Sequence, residues 1–214
     1  MMGHEPIIKP RLRGRMHLAA AGASVIGLIY LVQVAPSTRA LVSAWIYGIG
    51  AVLLYLTSST YHVFARTPRS RWILQRADHS MIYVLIAASF TPTCVLALGG
   101  TWRWGLLAVV WLGALAGVAL KLLALDRFPK ISNGLYIALG WSGMFALPAL
   151  VRHPRLLALI IAAGVLYTSG AILFALKRPT LSPRWFGYHE VWHTFVTAAG
   201  ALLFFANLGL VRGG

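Results

Sequence analysis

His189 and His193 stand four residues apart, a spacing that puts both imidazoles on one helix face a turn apart, which is chelating geometry. His62 repeats that spacing with a hydroxyl, in Ser58-Ser59-Thr60-Tyr61-His62, and Asp78 follows one connection later. Three imidazoles and a carboxylate outline a metal site. Three neutral imidazoles leave one tetrahedral position of zinc for water, as catalytic sites do, and zinc lowers the pKa of such a water to about 7. Asp78 would then accept a hydrogen bond from the water or from a ligand histidine, and Ser58 would orient a ligand or polarise a substrate carbonyl. The alternative is that the histidines are interfacial groups bonded to carbonyls or lipid phosphates. His189-Glu190-Val191-Trp192-His193 is also a literal H-E-x-x-H, in which Glu190 would be the general base of a metalloprotease. A five-residue pattern recurs by chance, however, and a carboxylate near the positive N-terminus of a helix at the headgroup boundary is the better account of Glu190. His79 points about 100° away from Asp78 on a helix, and His4, His17 and His153 carry no partner pattern.

The elements that position these groups are membrane spans. Only 11% of residues are charged, against about 25% in soluble domains, 59% are hydrophobic, and mean hydropathy is +0.76. A span needs about 20 apolar residues, and seven such stretches are present: residues 17 to 35, 41 to 64, 78 to 98, 104 to 123, 132 to 150, 156 to 176 and 188 to 211. The expected fold class is all-α, a polytopic seven-transmembrane-helix bundle over 17 to 211 behind a basic cytoplasmic tail over 1 to 16. No connection is long enough for a soluble domain. Of the 19 Lys and Arg residues, fourteen fall in the tail and in alternate connections, such as Arg66, Arg69, Arg71 and Arg76, and five on the other side. That asymmetry places the N-terminus in the cytoplasm and the C-terminus outside. Span two then ends, and spans three and seven begin, at one membrane level, so His62, Asp78, His189 and His193 are expected to meet there.

The net charge of +15 reads as topology plus attraction to anionic headgroups on the cytoplasmic face, with no nucleic-acid partner, since no nucleic-acid module accompanies it. Cys94 permits no intramolecular disulfide and reads as a small buried hydrophobe. The first span imitates a signal peptide but is long for one and has no clear A-x-A site, so it is expected to be retained. Pro92 and Pro148 should kink their helices and free carbonyls for neighbours to satisfy. Gly113 and Gly117 form G-x-x-x-G, either a homodimer seam or a close contact inside the bundle. Trp72, Trp102, Trp104 and Trp185 near span ends are expected interfacial anchors.

Three segments in order, Ser58-Ser59-Thr60-Tyr61-His62, then Asp78-His79-Ser80-Met81-Ile82-Tyr83 running into Ser89-Phe90-Thr91-Pro92, then His189-Glu190-Val191-Trp192-His193, resemble the signature regions of the hemolysin III family. This is the bacterial branch of the progestin and adiponectin receptor (PAQR) family. The resemblance implies Zn2+ on His62, His189 and His193, a site serine at Ser58 and a site aspartate at Asp78. It also implies kinship with alkaline ceramidases, and so a zinc-dependent hydrolase of a lipid amide or ester in the bacterial cytoplasmic membrane. On this reading membrane lipid or fatty acid is the ligand, held in an apolar cavity between helices. A non-enzymatic lipid-sensing regulator with structural zinc is the second expectation. A haemolytic pore is the third, and the weakest, because the polar residues gather at one face instead of lining several spans.

Overall fold

The computed structural model describes residues 10–124 and 129–213, and His4, Lys9 and Arg127 lie outside them. The described chain is helical throughout, with one isolated β-bridge between Ser182 and Phe186. Helices α1 (Arg15–Gln33), α2 (Thr38–Phe64) and α3 (Pro68–Pro92) are followed by a π-helical turn, Thr93–Ala97, and by α4 (Gly100–Ala124). Then come α5 (Pro129–Trp141), a 3-10 turn (Ser142–Ala146), α6 (Leu147–Leu150), α7 (Pro154–Ala175) and α8 (Tyr188–Gly213).

Among the described residues, six helical segments are long and apolar enough to cross a membrane: α1, α2, Pro68–Ala97, Gly100–Leu123, α7 and α8. Their outer faces carry large hydrophobics such as Ile26, Leu112, Leu123 and Phe205, the surface expected of a chain solvated by lipid. This is an all-α polytopic membrane protein. The stretch expected as a fifth span is instead broken, with α5 and α6 separated by the 3-10 turn. Pro148 explains the break: its ring would clash with the carbonyl four residues back, at Met144, and that residue lies in the tightened turn.

Pro92 acts as expected. The helix gives way to the π-helical turn, where Leu98 N–H donates to the Thr93 carbonyl, five residues back. Thr93 N–H donates to Phe90, and the Ser89 carbonyl accepts from Asn207 Nδ2 on α8. A buried amide thus satisfies a carbonyl in the disturbed turn.

Helix α3 begins earlier than expected. Thr67 caps it by accepting from Ser70 N–H, Ser70 Oγ accepts from Thr67 N–H, and Pro68 occupies the first turn. The arginines at 69, 71 and 76 therefore ride on a helix that continues out of the apolar stretch, and Asp78 lies well inside α3 instead of opening it.

Two buried clusters hold the bundle. One is centred on Tyr83, Phe90, Val110, Leu139 and Leu150, the other on Leu31, Tyr47, Leu54, Tyr55 and Val211. A Cβ on Gly117 would collide with the Tyr83 ring, and one on Gly113 would come within 2.6 Å of Leu139. The G-x-x-x-G face is thus covered by this chain's own side chains, which is the packing such motifs permit. Trp72, Trp102, Trp104 and Trp185 are all exposed, and Cys94 is buried.

Candidate metal centre

The last turns of α2 and the first turns of α8 meet at one end of the bundle, because α2 and α8 pack with opposite directions there. His62 Nε2 and His189 Nε2 are 3.1 Å apart. His193, one turn into α8, completes a group in which one ligand atom from each ring lies within 4.8 Å of the others. The three ring centroids are separated by 4.7 to 5.0 Å. His193 is buried, and His62 and His189 are half-buried, so the group is reachable from one side.

The donor set fits a metal. Two imidazole nitrogens at about 2.0–2.1 Å from one tetrahedral zinc stand roughly 3.3 Å apart, close to the His62–His189 separation. No carboxylate belongs to the group, and imidazoles suit zinc, copper, iron and nickel alike.

Ser58 and Asp78 lie beside this group. The Ser58 hydroxyl, one turn before His62 on the same helix, lies beside the Asp78 carboxylate and interacts with it. It is also 2.9 Å from Nδ1 of His17. The His17 ring in turn stacks flat on His193, with centroids 3.7 Å apart and planes 7° from parallel. Asp78, Ser58, His17 and His193 thus form a continuous polar chain across α3, α2, α1 and α8. His79 donates from Nδ1 to the Gln75 carbonyl at 2.8 Å, and the same nitrogen lies 3.8 Å from Asp78 Oδ2.

His17 is the residue that sequence reasoning passed over. It has no helical partner at i, i+4, yet the same alternation that brought His62, Asp78 and His189 together also starts span one at that membrane level.

Glu190 has a different job from the one its motif suggests. It is fully buried; Oε1 accepts from Arg13 Nε at 2.8 Å and Oε2 accepts from the Gly187 backbone N–H at 2.8 Å. Gly187 precedes the first residue of α8, so Glu190 at the third helical position closes the helix start from one side, making half of a capping box. Both oxygens are engaged in holding α8 and the N-terminal segment, which leaves neither for general-base work.

That segment is strapped over the site. Arg11 and Leu12 N–H donate to the carbonyls of Arg184 and Trp185. Gly14 turns the chain into α1 with φ of 82°, and a Cβ there would come within 2.9 Å of His62 Cβ. Only glycine meets both demands.

A cavity of about 390 Å³ adjoins this end, among α1, α2 and α8, with walls that include Gly27, Leu28, Tyr47, Ala51, Tyr55 and Phe204. The Tyr55 ring belongs to that wall and also stands edge-on to His17, 5.1 Å between centroids. Tyr55 thus stands between the cavity and His17, the ring that stacks on His193.

Fold and site together define an all-α, multi-pass membrane protein with a triad of histidines, able to hold a metal ion, where helix ends converge. The model of the family described as "Haemolysin-III related" matches residues 6–205, and the chain belongs to that family. It is similar to "Hemolysin-3" of Bacillus cereus, 34% identical over 197 residues that cover 90% of this chain and 87% of the relative. "Hemolysin-3 homolog" of Bacillus subtilis (strain 168) is 33% identical over 190 residues, 86% of each chain. "Monocyte to macrophage differentiation factor" of Homo sapiens is 26% identical over 191 residues, 86% of this chain and 76% of the relative. The expected kinship with the hemolysin III and PAQR group is borne out.

Proposed function

We propose that this protein binds Zn2+ through His62, His189 and His193 and hydrolyses an amide or ester bond of a membrane lipid. The observation that carries the reading is the place of Tyr55, which lines the apolar cavity and stands against His17, the ring that joins Ser58 to His193 of the histidine cluster. A zinc ion in such a site supplies Lewis acidity toward a carbonyl and lowers the pKa of a water ligand. The cavity holds an acyl chain and excludes water from it, so that the headgroup linkage meets the histidines. Asp78 accepts and returns a proton at its carboxylate, and Ser58 holds that carboxylate by donating its hydroxyl hydrogen.

In the proposed topology the broken α5–α6 segment is the seventh crossing. At one end Tyr136 donates to the His79 carbonyl, near the site, and at the other Pro148 and His153 line a surface hollow with Gly99 and Trp102. The Lys and Arg asymmetry supports the rest of this topology, with residues 17 to 211 in the bacterial cytoplasmic membrane, the site at the cytoplasmic leaflet near anionic headgroups, and the C-terminus outside.

The test is release of fatty acid from purified membrane lipids and ceramides by protein in proteoliposomes. Metal-dependent release by wild type that is lost in a His189→Ala, His193→Ala variant supports the reading. A second reading draws on the tie between α2 and α8 that the His62–His189 contact makes: zinc locks these helices and a lipid in the cavity shifts them, without turnover. Zinc-loaded protein that binds fatty acid and never releases one from any lipid favours that reading.

A further inference from the structure

The ring of His17 is held on three sides. It lies flat against His193, its Nδ1 meets Ser58 Oγ, and Tyr55 closes its edge. The side chain is 97% buried, since only 3% of the residue is exposed, and Nε2 is enclosed without a hydrogen-bond partner. An apolar ring would fill this space without leaving a buried acceptor unpaired, so packing alone does not account for an imidazole here.

With Asp78 ionised the carboxylate only accepts, so Ser58 turns its hydroxyl hydrogen toward it and its oxygen accepts from the His17 tautomer protonated at Nδ1. His17 is thereby fixed by α2 and α3, and its parallel stack transmits that fixed plane to the His193 ring on α8. Rotation of His193 would separate the stacked faces and swing its ligand nitrogen away from His62 and His189. Ser58 is one turn from His62, so the same contact also braces the α2 side of the group.

We propose that His17 is a positioning residue of the metal centre: it sets the ring plane of His193 and couples the Asp78–Ser58 pair to the three ligands. This rests on the reading that His62, His189 and His193 hold a metal. Groups that orient metal ligands from behind typically contribute 10- to 100-fold in metal affinity, and that is the size expected here.

The experiment uses full-length protein in detergent, wild type beside His17→Ala, His17→Phe and His17→Asn, with zinc affinity from competition against a chromophoric chelator and visible spectra of the Co2+ form. Thermal melting selects the variants that fold. His17→Ala should bind zinc 10- to 100-fold more weakly and shift the Co2+ bands, which report ligand geometry. His17→Phe, which keeps a flat ring, and His17→Asn, which keeps a donor, should each recover part of both. Should His17→Ala fail to fold, the Phe variant alone decides, since a merely space-filling role leaves its spectrum at the wild-type position. Wild-type affinity and an unshifted spectrum in every folded variant overturn the proposal while leaving the metal reading intact. Wild-type protein that takes up neither Zn2+ nor Co2+ overturns both.

Discussion

Replacing Glu190 separates structure from chemistry. Its carboxylate has two partners, Arg13 Nε and the Gly187 N–H, each at 2.8 Å, and its side chain is 1% exposed against 18% for Arg13. Glu190→Gln keeps an amide oxygen for Gly187 but removes the charge facing Arg13. Hydrogen bonds to charged groups contribute about 1.5–3 kcal/mol. Arg13 can turn partly to water, so the lower end applies, about 1.5 kcal/mol. Glu190→Ala also strands the Gly187 N–H and leaves Arg13 without its partner, bringing the loss to about 3 kcal/mol, the low end for breaking a buried pair. At roughly 2–4 °C per kcal/mol for a chain of this size, Tm in detergent should fall by about 3–6 °C for Gln and about 6–12 °C for Ala. In an Arg13→Met background the Gln effect should shrink by about 1.5 kcal/mol, the coupling energy of the pair. Melting followed by circular dichroism measures wild type, both Glu190 variants, Arg13→Met and the Arg13→Met, Glu190→Gln double variant. A Glu190→Gln protein that melts with wild type, keeps its metal and loses lipid turnover would refute the reasoning and restore the metalloprotease-type base.

Gly14→Ala adds a side chain at positive φ and against His62; a loss of about 1–2 kcal/mol is expected, read as a lower Tm together with weaker zinc binding. Gly117→Val drives a side chain into the Tyr83 ring and should cost about 1–3 kcal/mol, with a drop in Tm and no change in metal content per folded chain. Ala51→Phe fills part of the 390 Å³ cavity; mass spectrometry of lipid carried through purification should show less bound acyl chain than wild type, while zinc content stays the same.

The membrane class and six of the spans were readable because hydropathy over a span-length window measures the property that lipid selects. The fifth span reads in the sequence as one kinked stretch: Pro148 marks the kink, but the 3-10 turn over the residues before it leaves no mark in hydropathy. Asp78 was placed at a helix start because the arginines before it look like a loop, although the Thr67-Pro68 cap that starts α3 stands in the sequence. The histidine pair on α8 could be found from its spacing. His17 could not be found that way, since its partners lie on α2 and α8 and only the fold brings them to it. Glu190 is the reverse case, a motif that matches letter by letter while the helix start and Arg13 claim its oxygens.

The central claim is tested most directly by elemental analysis of detergent-purified protein, with wild type beside His62→Ala and the His189→Ala, His193→Ala pair. The account expects about one zinc per wild-type chain, the occupancy of a single tetrahedral site, lost in both variants with the helical fold retained. Folded wild-type protein without metal, or zinc that persists when these histidines are gone, would contradict it.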